Sequence, residues 1–401
     1  MPSPAERLRI LTVTHNYPRF PGDPAGAFVA RIAEGAAARG HAVEVIAPHA
    51  PASAPAEQIG GVRVQRFRYA PERFERVAYT GGLHQKALRS PAGLALPGFL
   101  LAFHRAVGKS VQRFQPHVVH AHWWFPGGWF VSRGGVPYLI TCHGSDVRLL
   151  ERNILVRKVA GPVFRRAARV TAVSNFLVGD IQRLLPGSVH EAIVTPMPID
   201  VASFGEGCKQ RKAAPPRILY AGNLVPSKGV DVLVQAAAEL QRQGVEFQLK
   251  ILGEGPSERS LRSLVTHLRL GLRVTWAPFV PQSEMPDEYG ASTVTVLPSR
   301  GRAEGLGLTL VEALLAGSAV VGTPAGGIPE VVRHEKTGLL ARDGDPADLA
   351  KQIHRLLADA TLRDRLVRAG KEYVVRTYSP ESAVGRFLEI YHAIAGDQPH
   401  H

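Results

Sequence analysis

Two α/β halves, each built on a parallel sheet, are what this sequence predicts, and three observations carry the prediction. Apolar runs of strand length alternate with helical stretches along the chain. A second leading strand, RILYAG, restarts the pattern at Arg217. Before it lies DVASFGEGCKQRKAAPP, polar and rich in Gly, Pro and Lys, the composition of an interdomain linker. With 401 residues, 45% of them hydrophobic and 20% charged, the chain suits two domains with their own cores and excludes a disordered protein. The expected boundaries are 1–205 for the first domain, 206–216 for the linker, 217–380 for the second domain and 381–401 for a last helix.

The elements follow in order. LRILTVTH reads as a buried strand, FVARIAEGAAARG as a helix and HAVEVIAP as the next strand, a right-handed βαβ unit. VRVQRFRY, HVVHAH, PYLITCHG and RVTAVS read as further strands separated by helical stretches. In the second half RILYAG leads to the helix GVDVLVQAAAELQRQG, the strand EFQLKILG, the helix SERSLRSLVTHLRL and the strands VTWAPFV and STVTVLPS. A short helix then follows, in which Leu310, Val311, Leu314 and Leu315 have buried-helix spacing. SPESAVGRFLEIYHAIAG closes the chain. In such sheets ligands bind at the strand ends, so function is sought in the loops there.

The net charge of +14 is unevenly placed. Residues 1–205 hold 24 Lys and Arg against 12 Asp and Glu, whereas 206–401 hold 24 against 22. Arg63, Arg66, Arg68, Arg73 and Arg76 cluster, and Lys86, Arg89, Arg105, Lys109 and Arg113 recur around the apolar PAGLALPGFLLAF. A basic surface beside exposed apolar residues suits an anionic membrane leaflet; the other reading is a solvated arginine-rich face over a core helix. Nucleic acid is not expected, because no recognition motif accompanies the charge. No apolar run reaches the roughly 18 residues of a membrane span, and the N-terminus enters its first strand directly. The expected place is therefore the cytoplasm, with peripheral contact at the inner membrane face. Cys142 and Cys208, far apart, read as reduced thiols. No metal is expected: the alternating His120 and His122 lack further ligands at suitable spacing, and Asp345 of the DGD at 343–345 precedes a helix that it would cap.

The most informative stretch is LPSRGRAEGLGLTLVEALLAG, where a glycine-rich turn runs into the short helix. Glu304 and Glu312 stand on either side of the junction, and Gly305 and Gly307 between them let backbone approach a ligand. A helix start with free N–H groups is an anion site, and a diphosphate is the anion an α/β enzyme would place there. Carboxylates would repel it, so their task is to accept hydrogen bonds from hydroxyls on either side, such as those of a ribose and a hexose. The segment resembles the Glu-x7-Glu signature of retaining glycosyltransferases of family four, which have the GT-B fold. The resemblance implies two Rossmann-like domains facing each other across a cleft, an acceptor-binding one followed by a nucleotide-sugar-binding one. It also implies a C-terminal helix that crosses back to the first domain.

Further roles come with that resemblance. Lys228 in AGNLVPSKGVD would reach the donor diphosphate; the loop is neither a P-loop nor a dinucleotide fingerprint. Asn223 stands where the family has arginine, so either Arg300 or Arg302 compensates or diphosphate binding is weaker. The backbone from Gly305 through Leu306, Gly307, Leu308 and Thr309 would cradle the diphosphate, while Glu304 holds the hexose and Glu312 the ribose. Gly253, Glu254 and Val280 match positions bordering ribose and base. In the first half His143 of TCHGSDVR would lie against the donor hexose, with Asp146 beside it. His120 and His122 compete for that place, or line an acceptor side where Trp123 and Trp124 stack on sugar rings. Gly22 and Gly26 of NYPRFPGDPAGAF are assigned to the diphosphate and acceptor side, and Asp23 is a potential helix cap.

The expected activity is retaining, metal-independent transfer of a hexose from a nucleotide diphosphate sugar to a hydroxyl acceptor. A lipid-linked or anionic glycan acceptor of envelope polysaccharide or glycolipid synthesis is expected. One alternative is a non-catalytic nucleotide-sugar or glycan-binding protein of the same fold, against which intact Glu304, Glu312, Lys228 and His143 argue. The other is an epimerase or phosphorylase on the same architecture.

Overall fold

The computed structural model describes residues 7–51, 53–75, 77–79, 95–205 and 212–396. Arg76, Lys86, Arg89, Cys208 and most of the expected linker lie outside the described residues. The chain forms two compact units, Met1–Pro198 with Pro380–His401, and Ile199–Ser379.

The first unit contains β1 (Arg9–Val13), α1 (Ala27–Ala38), β2 (Ala42–Pro48), β3 (Ala56–Ile59), β4 (Val62–Phe67), α2 (Leu96–Phe114) and β5 (Val118–His122). There follow α3 (Trp129–Val131), β6 (Tyr138–Cys142), α4 (Ser145–Glu151), α5 (Ile154–Arg165), β7 (Arg169–Ala172), α6 (Asn175–Leu184) and β8 (Ala192–Val194). The sheet runs β3-β4-β2-β1-β5-β6-β7-β8, parallel except for β3. Its middle strands β5 and β6 are buried at every residue, as expected of parallel strands covered on both faces. The edge strands β3 and β8 were not expected from sequence. AEQI carries no apolar alternation strong enough to announce a strand, and AIV is only three residues long.

The last helix, Pro380–Gly396, belongs to this unit and buries Val384, Phe387 and Tyr391. It lies close on α1: a Cβ added at Gly35 would stand 2.5 Å from Val384 Cγ2. On α2 the residues Phe99, Phe103 and Val107 are core, and Phe103 stacks on Phe67 at 4.7 Å.

The second unit contains α7 (Val201–Gly205), β9 (Arg217–Ala221), α8 (Val230–Arg242), β10 (Gln248–Leu252), α9 (Glu258–His267), β11 (Val274–Ala277), α10 (Met285–Ala291) and β12 (Val294–Leu297). It continues through α11 (Leu308–Leu315), β13 (Ala319–Gly322), α12 (Ile328–Val331), β14 (Leu339–Leu340), α13 (Pro346–Ala358) and α14 (Ala360–Tyr378). The sheet order is β11-β10-β9-β12-β13-β14, all parallel. The units divide at Pro198 and Ile199, ahead of the expected boundary, because α7 is tied into the second unit. Phe204 packs on Tyr289 at 6.1 Å, and Lys371 Nζ donates to the Gly205 carbonyl at 3.3 Å.

Candidate functional site

In the second unit the loops after β9, β10, β12 and β13 crowd together at the strand ends. Missing side chains allow this. A Cβ at Gly229 would meet the Pro298 carbonyl oxygen at 2.0 Å, and one at Gly253 would meet that of Gly222 at 1.9 Å. The loop after β13 seals the cradle: Gly326 N donates to Gly301 O at 2.9 Å and Gly327 N to Glu304 O at 3.1 Å. Gly326, Gly327 and Ser299 were not singled out from sequence, since only the fold brings these loops together.

Glu304 lies inside this cradle, 8% exposed. Its Oε1 accepts from Lys228 Nζ at 2.5 Å and from Ser299 Oγ at 2.6 Å. The Ser299 carbonyl in turn accepts from the Thr323 hydroxyl. Three residues on, Gly307 takes φ of +90° and opens α11 without a side-chain cap, leaving the helix start to the backbone. Leu308 at that start is exposed, Thr309 half-buried, and Gly305 half-buried beside the buried Leu306. Along α11, Glu312 accepts from Gln282 Nε2 at 3.1 Å and from the Tyr289 hydroxyl at 3.0 Å. Burial and the Glu312 charge push the Tyr289 hydroxyl well above its ordinary range, so it stays a donor.

Of the two arginines considered in place of an arginine at 223, Arg300 is committed elsewhere: it donates to Asp231 Oδ2 at 2.7 Å. Arg302 is exposed on the turn before Glu304. Asn223 is exposed, and its carbonyl accepts from the Tyr220 hydroxyl at 2.9 Å. Glu254 is exposed, Gly253 buried and Val280 partly exposed. Asp345 caps α13 by accepting from Asp348 N at 3.0 Å, and Asp343 accepts from Gly301 N at 2.8 Å, so the DGD serves loop and helix geometry.

In the first unit the ends of β5 and β6 bring His122 and His143 together, with Nδ1 of the former 3.1 Å from Nε2 of the latter. One of these nitrogens donates and the other accepts. Trp123 lies 4.4 Å from His143 and 4.3 Å from His15, centroid to centroid, and Phe28 lies 4.9 Å from His143. Trp123 holds φ of +65°, a region that costs a bulky side chain energy. Burial first, and then neighbouring imidazoles, lower His122 and His143 well below the ordinary histidine value. Both rings are therefore neutral near pH 7. His122 Nε2 is buried without a hydrogen-bond partner.

Asp146 organises this corner. Its Oδ1 accepts from His143 N at 3.0 Å and Gly144 N at 3.1 Å, and its Oδ2 from Trp124 N at 3.4 Å. All four acceptor-side candidates, His120, His122, Trp123 and Trp124, are buried, and two of them are tied into the core by hydrogen bonds. His120 is fully buried between the Tyr391 hydroxyl and the Thr141 hydroxyl, each at 2.7 Å, and Trp124 donates its Nε1–H to the Asp146 carbonyl at 2.8 Å. Gly26 caps α1 with its backbone, where a Cβ would meet Asn16 O at 2.1 Å. Asp23 does not cap; it binds Arg19 Nε at 2.6 Å and Ala25 N at 3.1 Å. Gly22, at φ +83°, stands in open space.

The basic surface read from sequence is partly interior. Arg66 is buried and bonds Glu57 Oε1 at 2.7 Å, and Arg113 bonds the buried Glu44 at 2.6 Å. Cys142 is a free, buried thiol. Among the described residues, no three His, Cys, Asp or Glu side chains could hold a metal, and no helix is long and apolar enough to cross a membrane.

Similarity to known proteins agrees with this arrangement. The family described as Glycosyltransferase Family 4 matches residues 25–203, and the one described as Glycosyl transferases group 1 matches residues 209–373. The D-inositol 3-phosphate glycosyltransferase of Acidothermus cellulolyticus is 33% identical over 326 residues, 74% of this chain and 72% of that protein. Sucrose-phosphate synthase from Thermosynechococcus elongatus shares the fold at a TM-score of 0.76 and 23% identity, over 98% of this chain and 100% of that one. Anabaena HepE, solved in complex with UDP and glucose, does so at 0.70 and 18%, over 96% and 100%. With both halves matched and a glycosyltransferase one-third identical over most of its length, the chain belongs to glycosyltransferase family four and has its two-domain GT-B fold.

Proposed function

We propose that the protein transfers a hexose, with retention of anomeric configuration and without a metal ion, from a nucleotide diphosphate sugar to a hydroxyl acceptor. The observation that carries this reading is the meeting of Lys228, Glu304 and Ser299 ahead of the open start of α11. Without donor, the ammonium and the carboxylate neutralise each other. A bound diphosphate draws Lys228 onto its oxygens, and Glu304 then accepts from a hexose hydroxyl. Glu312 accepts from the ribose on the other side.

As the anomeric C–O bond to the diphosphate breaks, negative charge grows on the leaving phosphate. Lys228 and the amides from Gly305 to Leu308 stabilise it there. The acceptor oxygen bonds the anomeric carbon on the same face, and its proton passes to the departing phosphate. In the first unit, neutral His143, whose backbone N–H donates to Asp146, offers a hydrogen-bonding edge to sugar hydroxyls, and the buried Trp123 ring packs behind it at 4.4 Å.

The excess positive charge of the first 205 residues favours a lipid-linked or anionic glycan acceptor of envelope polysaccharide or glycolipid synthesis, and contact with an anionic leaflet. The Acidothermus relative is named for a phosphorylated, anionic compound, which supports an anionic acceptor. The UDP in the HepE structure makes uridine the first base to try.

The test is a set of thermal melts of wild type and Lys228→Ala with uridine, guanosine and adenosine diphosphates and their sugars. A ligand at a hundred times its dissociation constant adds about 2.7 kcal/mol of stability. One nucleotide should raise the wild-type midpoint and leave the variant unmoved. No response to any of them would turn the reading toward a non-catalytic protein. The anomeric proton coupling of the product decides retention.

A further inference from the structure

We propose that helix α5 is the surface through which the first unit lies on an anionic lipid bilayer. This rests on the membrane contact just proposed and locates it. Ile154, Leu155 and Val159 are 60%, 67% and 51% exposed, three large apolar side chains on the outward side of one helix. Ala160, Val163 and Phe164 on the inward side are buried. A single exposed aliphatic residue is ordinary, but three together on a capped helix form a patch. The cap keeps the patch in place: Asn153 Oδ1 accepts from Val156 N at 2.9 Å.

The charges around the patch select the partner. From Arg148 to Arg169 the chain carries seven Lys and Arg and a single acid, Glu151, which reaches Arg183 at 3.5 Å. Arg148, Arg152, Lys158, Arg165 and Arg166 are all exposed. Apolar side chains ringed by cations are the composition of an in-plane interfacial helix, in which the aliphatic groups enter the headgroup boundary and the cations meet lipid phosphates. Helix α2, where the sequence placed this contact, turns Phe99 and Phe103 into the core. It leaves Leu101 as its exposed large apolar residue among those described.

Full-length protein is sedimented with vesicles of phosphatidylglycerol and phosphatidylcholine, or of phosphatidylcholine alone, at low and high salt. Binding to the anionic vesicles is expected, at least about tenfold weaker to neutral ones and weakened by salt. Each cation removed should cost about fivefold, so Arg152→Gln with Lys158→Gln loses about 25-fold. Leu155→Asn with Val159→Asn should lose about tenfold or more. Their exposed positions leave the fold intact, checked by unchanged melting and an unchanged midpoint shift with nucleotide. Absence of binding to any vesicle would overturn both the membrane contact and its location. Binding that survives the α5 variants but falls with Leu101→Asn and Lys109→Gln would overturn only the location. A dimer in light scattering that the α5 variants dissociate, without vesicle binding, would give the patch to a second copy of the chain.

Discussion

Lys228 Nζ lies 2.5 Å from Glu304 Oε1, an ion pair that ties the loop after β9 to the loop after β12. Both side chains are largely withdrawn from water, at 22% and 10% exposure, yet neither is sealed in. Such a pair can be opened by an anion that competes for the ammonium.

Replacing Lys228 by alanine should therefore separate function from stability. Glu304 keeps its bond from Ser299, and the loops keep their backbone ties, so the melting midpoint without ligand should move little. Loss of a positioned cation at a developing phosphate charge should lower kcat by about 10²–10³. Steady-state kinetics with the donor identified by melting checks this, and transfer at the wild-type rate would remove Lys228 from the site.

Gly326→Ala probes the cradle itself. The new Cβ would stand 1.9 Å from the Glu304 carbonyl oxygen at a φ of +56°, so the loop carrying Glu304 must shift. A destabilisation of about 2 kcal/mol or more and loss of the nucleotide-induced rise in midpoint are expected. Gly108→Ala on α2, where nothing lies within 4 Å, is the comparison and should be neutral or stabilising by up to about 1 kcal/mol. Equal behaviour of the two variants would show that the close approach is unimportant.

Residue patterns told much of this in advance, and their limits have physical causes. The alternation of apolar strand and helix announced most strands and put Lys228, Glu304 and the Gly305–Gly307 turn at strand ends, because each signal lies within one loop. Ser299 and Gly326 were silent: their meaning is a contact between the loops after β12 and β13. His120 and His122 sit two apart on β5 and share a face, so the sequence treats them alike. Burial beneath Tyr391, 271 residues away, makes the first structural, while the second reaches His143. Likewise the positive φ at Trp123 sends adjacent tryptophans to different surroundings, which composition cannot register.

Tyr391→Phe tests that assignment of His120. It removes the hydroxyl 2.7 Å from His120 Nδ1 and leaves a buried ring nitrogen without that partner, at a cost of about 1–3 kcal/mol. Chemical denaturation should register this loss, while the midpoint rise with nucleotide diphosphate persists. A variant as stable as wild type would mean that the last helix is held by its apolar contacts alone.

The histidine cluster should also govern acid stability. Burial lowers His120 from the ordinary 6.5 to about 3, and lowers His122 and His143 well below that ordinary value. In the unfolded chain these rings take up protons near pH 6.5, whereas in the folded protein they stay neutral. The unfolded state thus binds more protons as pH falls, and stability is lost from about pH 6.5 downward, by about 1.4 kcal/mol per pH unit for each histidine. Buried Asp146, whose carboxyl is raised, works in the opposite direction, but only where it protonates. Calorimetric melts between pH 8 and 5 should show a plateau followed by a steep decline, and His122→Phe should flatten the decline by about one histidine's share. A midpoint that holds level to pH 5 would mean that the rings of β5 and β6 are protonated in the folded protein. His143 would then meet its substrate as a cation rather than as a neutral hydrogen-bonding edge.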